Sequence, residues 1–292
     1  MNKKTILIYG RTRSGKSSQL GELAEHVYKT LGLKTIVYTI DKGGYDVLIP
    51  YITLGVIQVV EQLATSPWIF MDKAVKGLVR DSNGKWATPS GNIGMFAYEG
   101  LTPFADALMT DMAKKAAAGT NIGGGGNVSF KDTSEGETLT IGGHNMAMYG
   151  ICQSRMTDAV WESQKLNAPY ILWTASASKD DDLNAGGKVI GPAMVGKALT
   201  AEIPRWFNLT FRLDALPAQT GKPERHILYL GNNVDISAGN AVGLGNTRAC
   251  MDAAPLPASI EPASVVQALQ LIEKSQSEAL EKIKSRLSNA QK

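Results

Sequence analysis

The strongest constraint on this chain lies close to its start. In "YGRTRSGKSSQL", Gly10 is followed by four residues and then Gly15-Lys16-Ser17. Glycines at this spacing let the chain turn tightly, so that successive backbone N–H groups point inward as an anion nest. Such a loop belongs between a strand and a helix, whose N-terminus adds partial positive charge. Both flanks have the required pattern. The apolar run from Thr5 predicts a strand over 5–10, and Leu20, Leu23, Ala24, Val27 and Leu31 share one face of a helix over 16–31. The expected phosphate cradle is therefore Gly10, Arg11, Thr12, Arg13, Ser14, Gly15, Lys16, Ser17 and Ser18. Lys16 is expected to reach the β- and γ-phosphates, and the Ser17 hydroxyl to ligate Mg²⁺.

The chain has 292 residues, 43% hydrophobic and 20% charged, which suits one α/β domain with insertions. A net charge of +3 neither demands nor excludes a nucleic-acid partner. Cys152 and Cys250 form no CxxC pair and the three histidines are scattered, so neither structural zinc nor a disulfide framework is expected. With no long apolar stretch and no cleavable leader pattern, the expectation is a cytoplasmic protein without a membrane span.

Strand and helix patterns alternate. Strands are expected at 34–40, 54–60, 92–98, 169–174, 207–213 and 225–231, and helices at 67–79, 103–118, 146–166 and 197–206. Asn83-Gly84 marks a turn. This order argues for a mostly parallel sheet covered by helices on both faces. Near the C-terminus, Val265, Leu269, Ile272, Ala279, Ile283 and Leu287 predict a helix over 262–288. It could pack back on the core or serve as an oligomerisation arm. The expected organisation is a core over 1–254 and a helical tail over 255–292.

Beyond the loop, an acid at the end of a neighbouring strand is needed to hold Mg²⁺. "NIGMFAYEGLTPFADAL" supplies Glu99 after an apolar strand and before a helix, a position also open to a simple helix cap. Asp41, in "YTIDKGGYD", is a candidate to orient or deprotonate an attacking water, or else a turn former before Gly43-Gly44. Thr174 and Ser176, at the end of "PYILWT" and just beyond it, are candidates to sense the γ-phosphate or to cap the strand.

The succession of the P-loop, a strand ending in Asp41, "AYEGLT", "MYG" before a helix, "ILWTAS" and "GPAMVGKALTAEIPRWFNLTFRLD" resembles the RecA-like ATPases of bacteriophages. That group includes the Sak-type single-strand annealing proteins, and the likeness spans roughly residues 3–232. It implies a RecA-like P-loop NTPase core, Mg-ATP at Gly10–Ser18, the Walker B acid at Glu99, homo-oligomers, and a DNA transaction in the cytoplasm of a phage's host. Glu99 stands where aspartate is usual, Ser176 where many relatives have His, and the insert at 119–145 is unusual.

The resemblance also makes two Gly-, Ser- and Asn-rich segments, 119–145 and 178–196, the loops that would face DNA in an assembly, and both are expected to be mobile. Neither is basic. Lys131 is the only Lys or Arg of the first, beside Asp132, Glu135 and Glu137; Lys179 and Lys188 of the second accompany three consecutive aspartates. Since cations at phosphates supply most nucleic-acid affinity, these segments argue against strong DNA binding, and "TSEGETLTIGG" could instead form a hairpin that contacts a phage protein. Lys197 is implied to reach the γ-phosphate on a neighbouring subunit, with Arg205 and Arg212 as alternatives.

Overall fold

The computed structural model describes residues 3–41, 45–62, 66–117, 129–134, 137–142, 146–181, 188–195, 197–217, 224–230, 241–243, 246–247 and 256–290. The chain opens with β1 (Lys4–Gly10), the P-loop and α1 (Lys16–Leu31). Helix α1 buries Leu20, Leu23, Ala24 and Val27, one apolar stripe. It stops at Gly32, which is left-handed (φ 68°) and donates its N–H to the Tyr28 carbonyl. Next come β2 (Lys34–Thr39), a 3₁₀ turn at Asp46–Leu48, the short α2 (Ile49–Thr53), β3 (Ile57–Glu61) and α3 (Pro67–Val75). The helix expected over 67–79 is thus shorter. Gly77 (φ 70°) breaks it, and Val79–Arg80 (β4) pairs with Trp86–Ala87 (β5) around the Asn83-Gly84 turn.

Strand β6 (Ile93–Glu99) leads into α4 (Leu101–Ala117), followed by β7 (Ser129–Ser134), β8 (Glu137–Gly142) and α5 (Met146–Gln164). Strands β7 and β8 pair antiparallel, so part of the 119–145 insert is a hairpin. Then come β9 (Tyr170–Asp181), β10 (Lys188–Pro192), α6 (Lys197–Glu202) with a 3₁₀ turn at Ile203–Trp206, β11 (Leu209–Leu216) and β12 (Arg225–Tyr229). Short strands β13 (Ala241–Gly243), β14 (Asn246–Thr247) and β15 (Ser259–Ile260) precede α7 (Val265–Ala290).

The main sheet runs β15-β12-β11-β1-β9-β6-β2-β3. From β11 to β3 every neighbouring pair is parallel; β12 and β15 close one side antiparallel. Alternate residues of each strand feed two cores. Leu7, Tyr9, Tyr38, Tyr98 and Trp173 pack with α3, α4 and α5, whereas Ile6, Ile8, Val37 and Leu172 pack with α1 and α7. The chain therefore has the expected α/β class: a mostly parallel sheet, helices on both faces and a C-terminal helix. Helix α7 lies back on the core through Val265, Ala268, Leu269, Ile272 and Ala279, while Leu280 and Leu287 are exposed. Among the described residues no helix is long and apolar enough to cross a membrane.

Two expectations change. Strand β9 does not end at Thr174; it continues to Asp181, and its outer half pairs antiparallel with β10. Much of 178–196 is thus paired strand. The mobility expected for 119–128 and 182–187 lies outside the described residues, as does the turn at Gly43-Gly44.

Candidate functional site

Parallel α/β sheets place ligands beyond the carboxyl ends of their strands, and here those ends carry the predicted residues. Gly10 ends β1, Glu99 ends β6, and Thr39, level with Glu99, ends β2. Asp41 lies two residues beyond Thr39, exposed, with its N–H donating to Thr39 Oγ1 at 3.1 Å.

The loop's backbone explains its residues. A Cβ on Gly10 would stand 2.2 Å from the Leu213 carbonyl oxygen and 2.5 Å from Ser14 Oγ, so no side chain fits there. Arg13 and Gly15 both have positive φ, 64° and 95°, and the alternation of handedness turns successive N–H groups the same way. Arg11, Thr12 and Arg13 are exposed at the rim. Ser14 is fully buried, and its Oγ has no hydrogen-bond partner.

Lys16 Nζ folds over the loop and donates to the carbonyl oxygens of Gly10 (3.0 Å) and Arg11 (2.9 Å). Burial pushes its pKa down, with the nearby Glu99 carboxylate acting against that shift. Ser17 Oγ donates to Glu99 Oε1. Glu99 is only 8% exposed, and its other oxygen, Oε2, is buried without a partner. Burial raises the Glu99 pKa and Asp41 adds to the rise, against the Ser17 hydrogen bond and the Lys16 charge.

A hydroxyl beside a carboxylate with one orphaned oxygen is a hard oxygen donor set, which fits Mg²⁺ with water and phosphate completing its shell. Among the described residues there is no group of three or more His, Cys, Asp or Glu that could hold a metal without such outside ligands.

Register places the other candidates. Ser176 is level with Gly10, and Thr174 with Ile8. The buried Thr174 hydroxyl accepts the Gly100 N–H at 2.9 Å, fixing the residue after Glu99. The Ser176 N–H donates to Thr102 Oγ1 (3.1 Å), which donates to the Ala193 carbonyl (2.7 Å). Lys197 is the first residue of α6, and its side chain lies outside the described residues. Arg205 is exposed in the 3₁₀ turn that precedes β11, at the end of the sheet away from Gly10. Arg212 is 2% exposed, paired with Asp214 and 4.5 Å over the Tyr229 ring, so it points into its own chain.

Sequence reasoning missed two residues that shape the loop. His226 Nδ1 lies 2.8 Å from the Ser14 carbonyl. Gln19 grips the C-terminal segment with both ends of its amide: Nε2 donates to Ala263 O (3.0 Å) and Oε1 accepts the Val265 N–H (2.7 Å). A lone His and a helix-face Gln carry no local signal, and their partners are 212 and 246 residues away.

No family model matches the chain, and no curated protein matches its sequence. Among solved structures, the KaiC-like protein PH0186 from the hyperthermophilic archaeon Pyrococcus horikoshii OT3 is similar at 11% identity and a TM-score of 0.36, covering 78% of this chain and 77% of its own.

Proposed function

We propose that this chain is a Mg²⁺-dependent RecA-like ATPase. One observation carries the reading: the P-loop nest, Lys16, and the Ser17–Glu99 contact converge at the carboxyl ends of parallel strands. The loop N–H groups and Lys16 hold the triphosphate oxygens. Ser17 and Glu99 hold the ion, which when bound neutralises charge on the β- and γ-oxygens. Asp41 orients the attacking water, and Thr174 keeps the peptide after Glu99 in place. Lys197 of one copy approaches the γ-phosphate of the next, which makes the working form a homo-oligomer.

The finer reading is a phage ATPase acting in DNA recombination, single-strand annealing or replication; the order of sequence motifs supports it. The acidic balance of 119–145 favours a second reading, a protein-directed or packaging ATPase or a nucleotide switch. Turnover of Mg-ATP by the full chain, measured alone, with single-stranded DNA and with duplex DNA while particle size is followed, separates them. Turnover and assembly that rise with single-stranded DNA support the first. Turnover indifferent to DNA supports the second. Lys16→Ala abolishes turnover in either case, and an unchanged rate refutes the P-loop reading.

A further inference from the structure

Beside the P-loop, on the side away from Glu99, lies a cavity of about 330 Å³. Its floor is Ser14, Ser18 and Gln19; its far wall is His226 with Pro262 and Ala263. We propose that this cavity takes the nucleoside half of the bound triphosphate, ribose and base, and that the segment Glu261–Ala263 is the wall against which it rests. The inference deepens the ATPase reading and depends on it.

Sheet order supplies the first argument. The path β12-β11-β1-β9-β6 puts Glu99 two strands to one side of the P-loop strand and His226 two strands to the other. A triphosphate lying in the loop with its terminal end at Ser17 and Glu99 therefore leads its first phosphate towards β12. The cavity opens there, against Ser14, Gly15 and Ser18.

Chemistry supplies the second. A carbonyl oxygen only accepts, so the 2.8 Å contact between His226 Nδ1 and Ser14 O requires the proton on Nδ1. In the neutral ring Nε2 is then an acceptor. Glu224 and Glu261 also line the cavity and are acceptors when ionised. Ribose hydroxyls and an exocyclic base amine are the matching donors. Leu213, Pro262 and Ala263 offer apolar surface to a base. Apolar walls with a few placed polar groups, enclosing roughly 300–1,000 Å³, are the usual character of a small-molecule site.

Pre-organisation supplies the third. The wall is tied down from several directions: Ala263 N–H to the His226 carbonyl at 2.9 Å, Gln19 to Ala263 and Val265, and Arg225 Nη2 to Glu261 Oε2 at 2.5 Å. Ser264 Oγ donates to Glu22 of α1 at 2.5 Å. A wall already ordered spares the ligand that entropy on binding.

The test is titration calorimetry of the full chain with Mg-ATP and with Mg-tripolyphosphate, on the wild type and on Ala263→Leu, whose longer side chain enters the cavity. The wild type is expected to prefer ATP by at least about tenfold, that is about 1.4 kcal/mol. Ala263→Leu is expected to lose most of that preference while keeping its affinity for tripolyphosphate. Amide exchange over 259–266 provides a readout that needs no variant: protection by ATP and none by tripolyphosphate is expected. Equal wild-type affinities for the two ligands overturn the subsite and leave the P-loop reading intact. Full ATP preference in a folded Ala263→Leu also overturns it. Binding of neither ligand overturns the P-loop reading itself.

Discussion

The two faces of the sheet are built differently. On the side of α3, α4 and α5, aromatic rings are layered: Tyr98 stacks on Trp173 with centroids 4.1 Å apart, Tyr38 on Tyr98 at 5.3 Å, and Phe70 on Phe104 at 5.9 Å. On the side of α1 and α7 the filling is largely aliphatic, and the long-range ties are polar, Gln19 to the backbone at 263 and 265 and Ser264 to Glu22. The candidate site draws on both. Glu99 follows Tyr98 directly and so rests on the stacked rings, whereas the phosphate loop and its helix rest on the aliphatic side. Rigid rings suit a group whose position must be held. Polar ties to a distant segment suit an element that responds when a ligand arrives.

The largest expected effect tests the aromatic side. Trp173→Ala removes the ring under Tyr98 and its Nε1 bond to Ser163 (3.1 Å), and should cost about 3–5 kcal/mol in denaturant melts. A loss below about 1 kcal/mol would show that this face relaxes as readily as an aliphatic one, and the contrast would fail. Next comes Glu99→Gln. Glu99 has its folded pKa raised by burial, so the folded state binds a proton more readily than the unfolded chain. Its contribution to stability therefore falls as pH rises from the usual carboxylate range through the raised value. Without Mg²⁺, the Gln variant should melt higher than the wild type near neutral pH and alike in acid, yet lose Mg²⁺-dependent turnover. Equal melting at every pH would show that the buried charge costs nothing. The smallest effect is on the other face. Gln19→Ala leaves the Val265 N–H without its acceptor and should cost about 1–2 kcal/mol. Amide exchange should rise first at 263–268, and exchange unchanged there would break the idea of a polar tie.

What the sequence revealed follows the range of the forces involved. The P-loop was legible because its chemistry is local: Gly10, Gly15, Lys16 and Ser17 are determined by turn geometry within eight residues. Glu99 was legible because a buried strand leaves an apolar run that stops where the acid begins. Strand β9 was cut short at Thr174 because the continuation, Ser176 to Asp181, is polar. It gains its partner from β10 rather than from a buried face, so hydropathy has nothing to report. The helix at 67–79 was overrun because Val79 continues the apolar pattern, while Gly77 in the left-handed region decides otherwise. The ties of Gln19 and His226 were invisible because each joins residues more than 200 positions apart. The C-terminal helix shows both sides: Val265, Leu269, Ile272 and Ala279 are buried as their spacing suggests, but the same spacing continues into Leu287, which is 62% exposed.

The length of β9 has a mechanical consequence. Its 12 residues form one continuous rod of about 40 Å. The inner half is wedged between the phosphate-loop strand and the strand that ends in Glu99; the outer half stands clear of them as an arm with β10. No joint separates the halves. A load applied to the arm is delivered undamped to the seam between phosphate loop and acid, and any spreading of that seam tilts the arm.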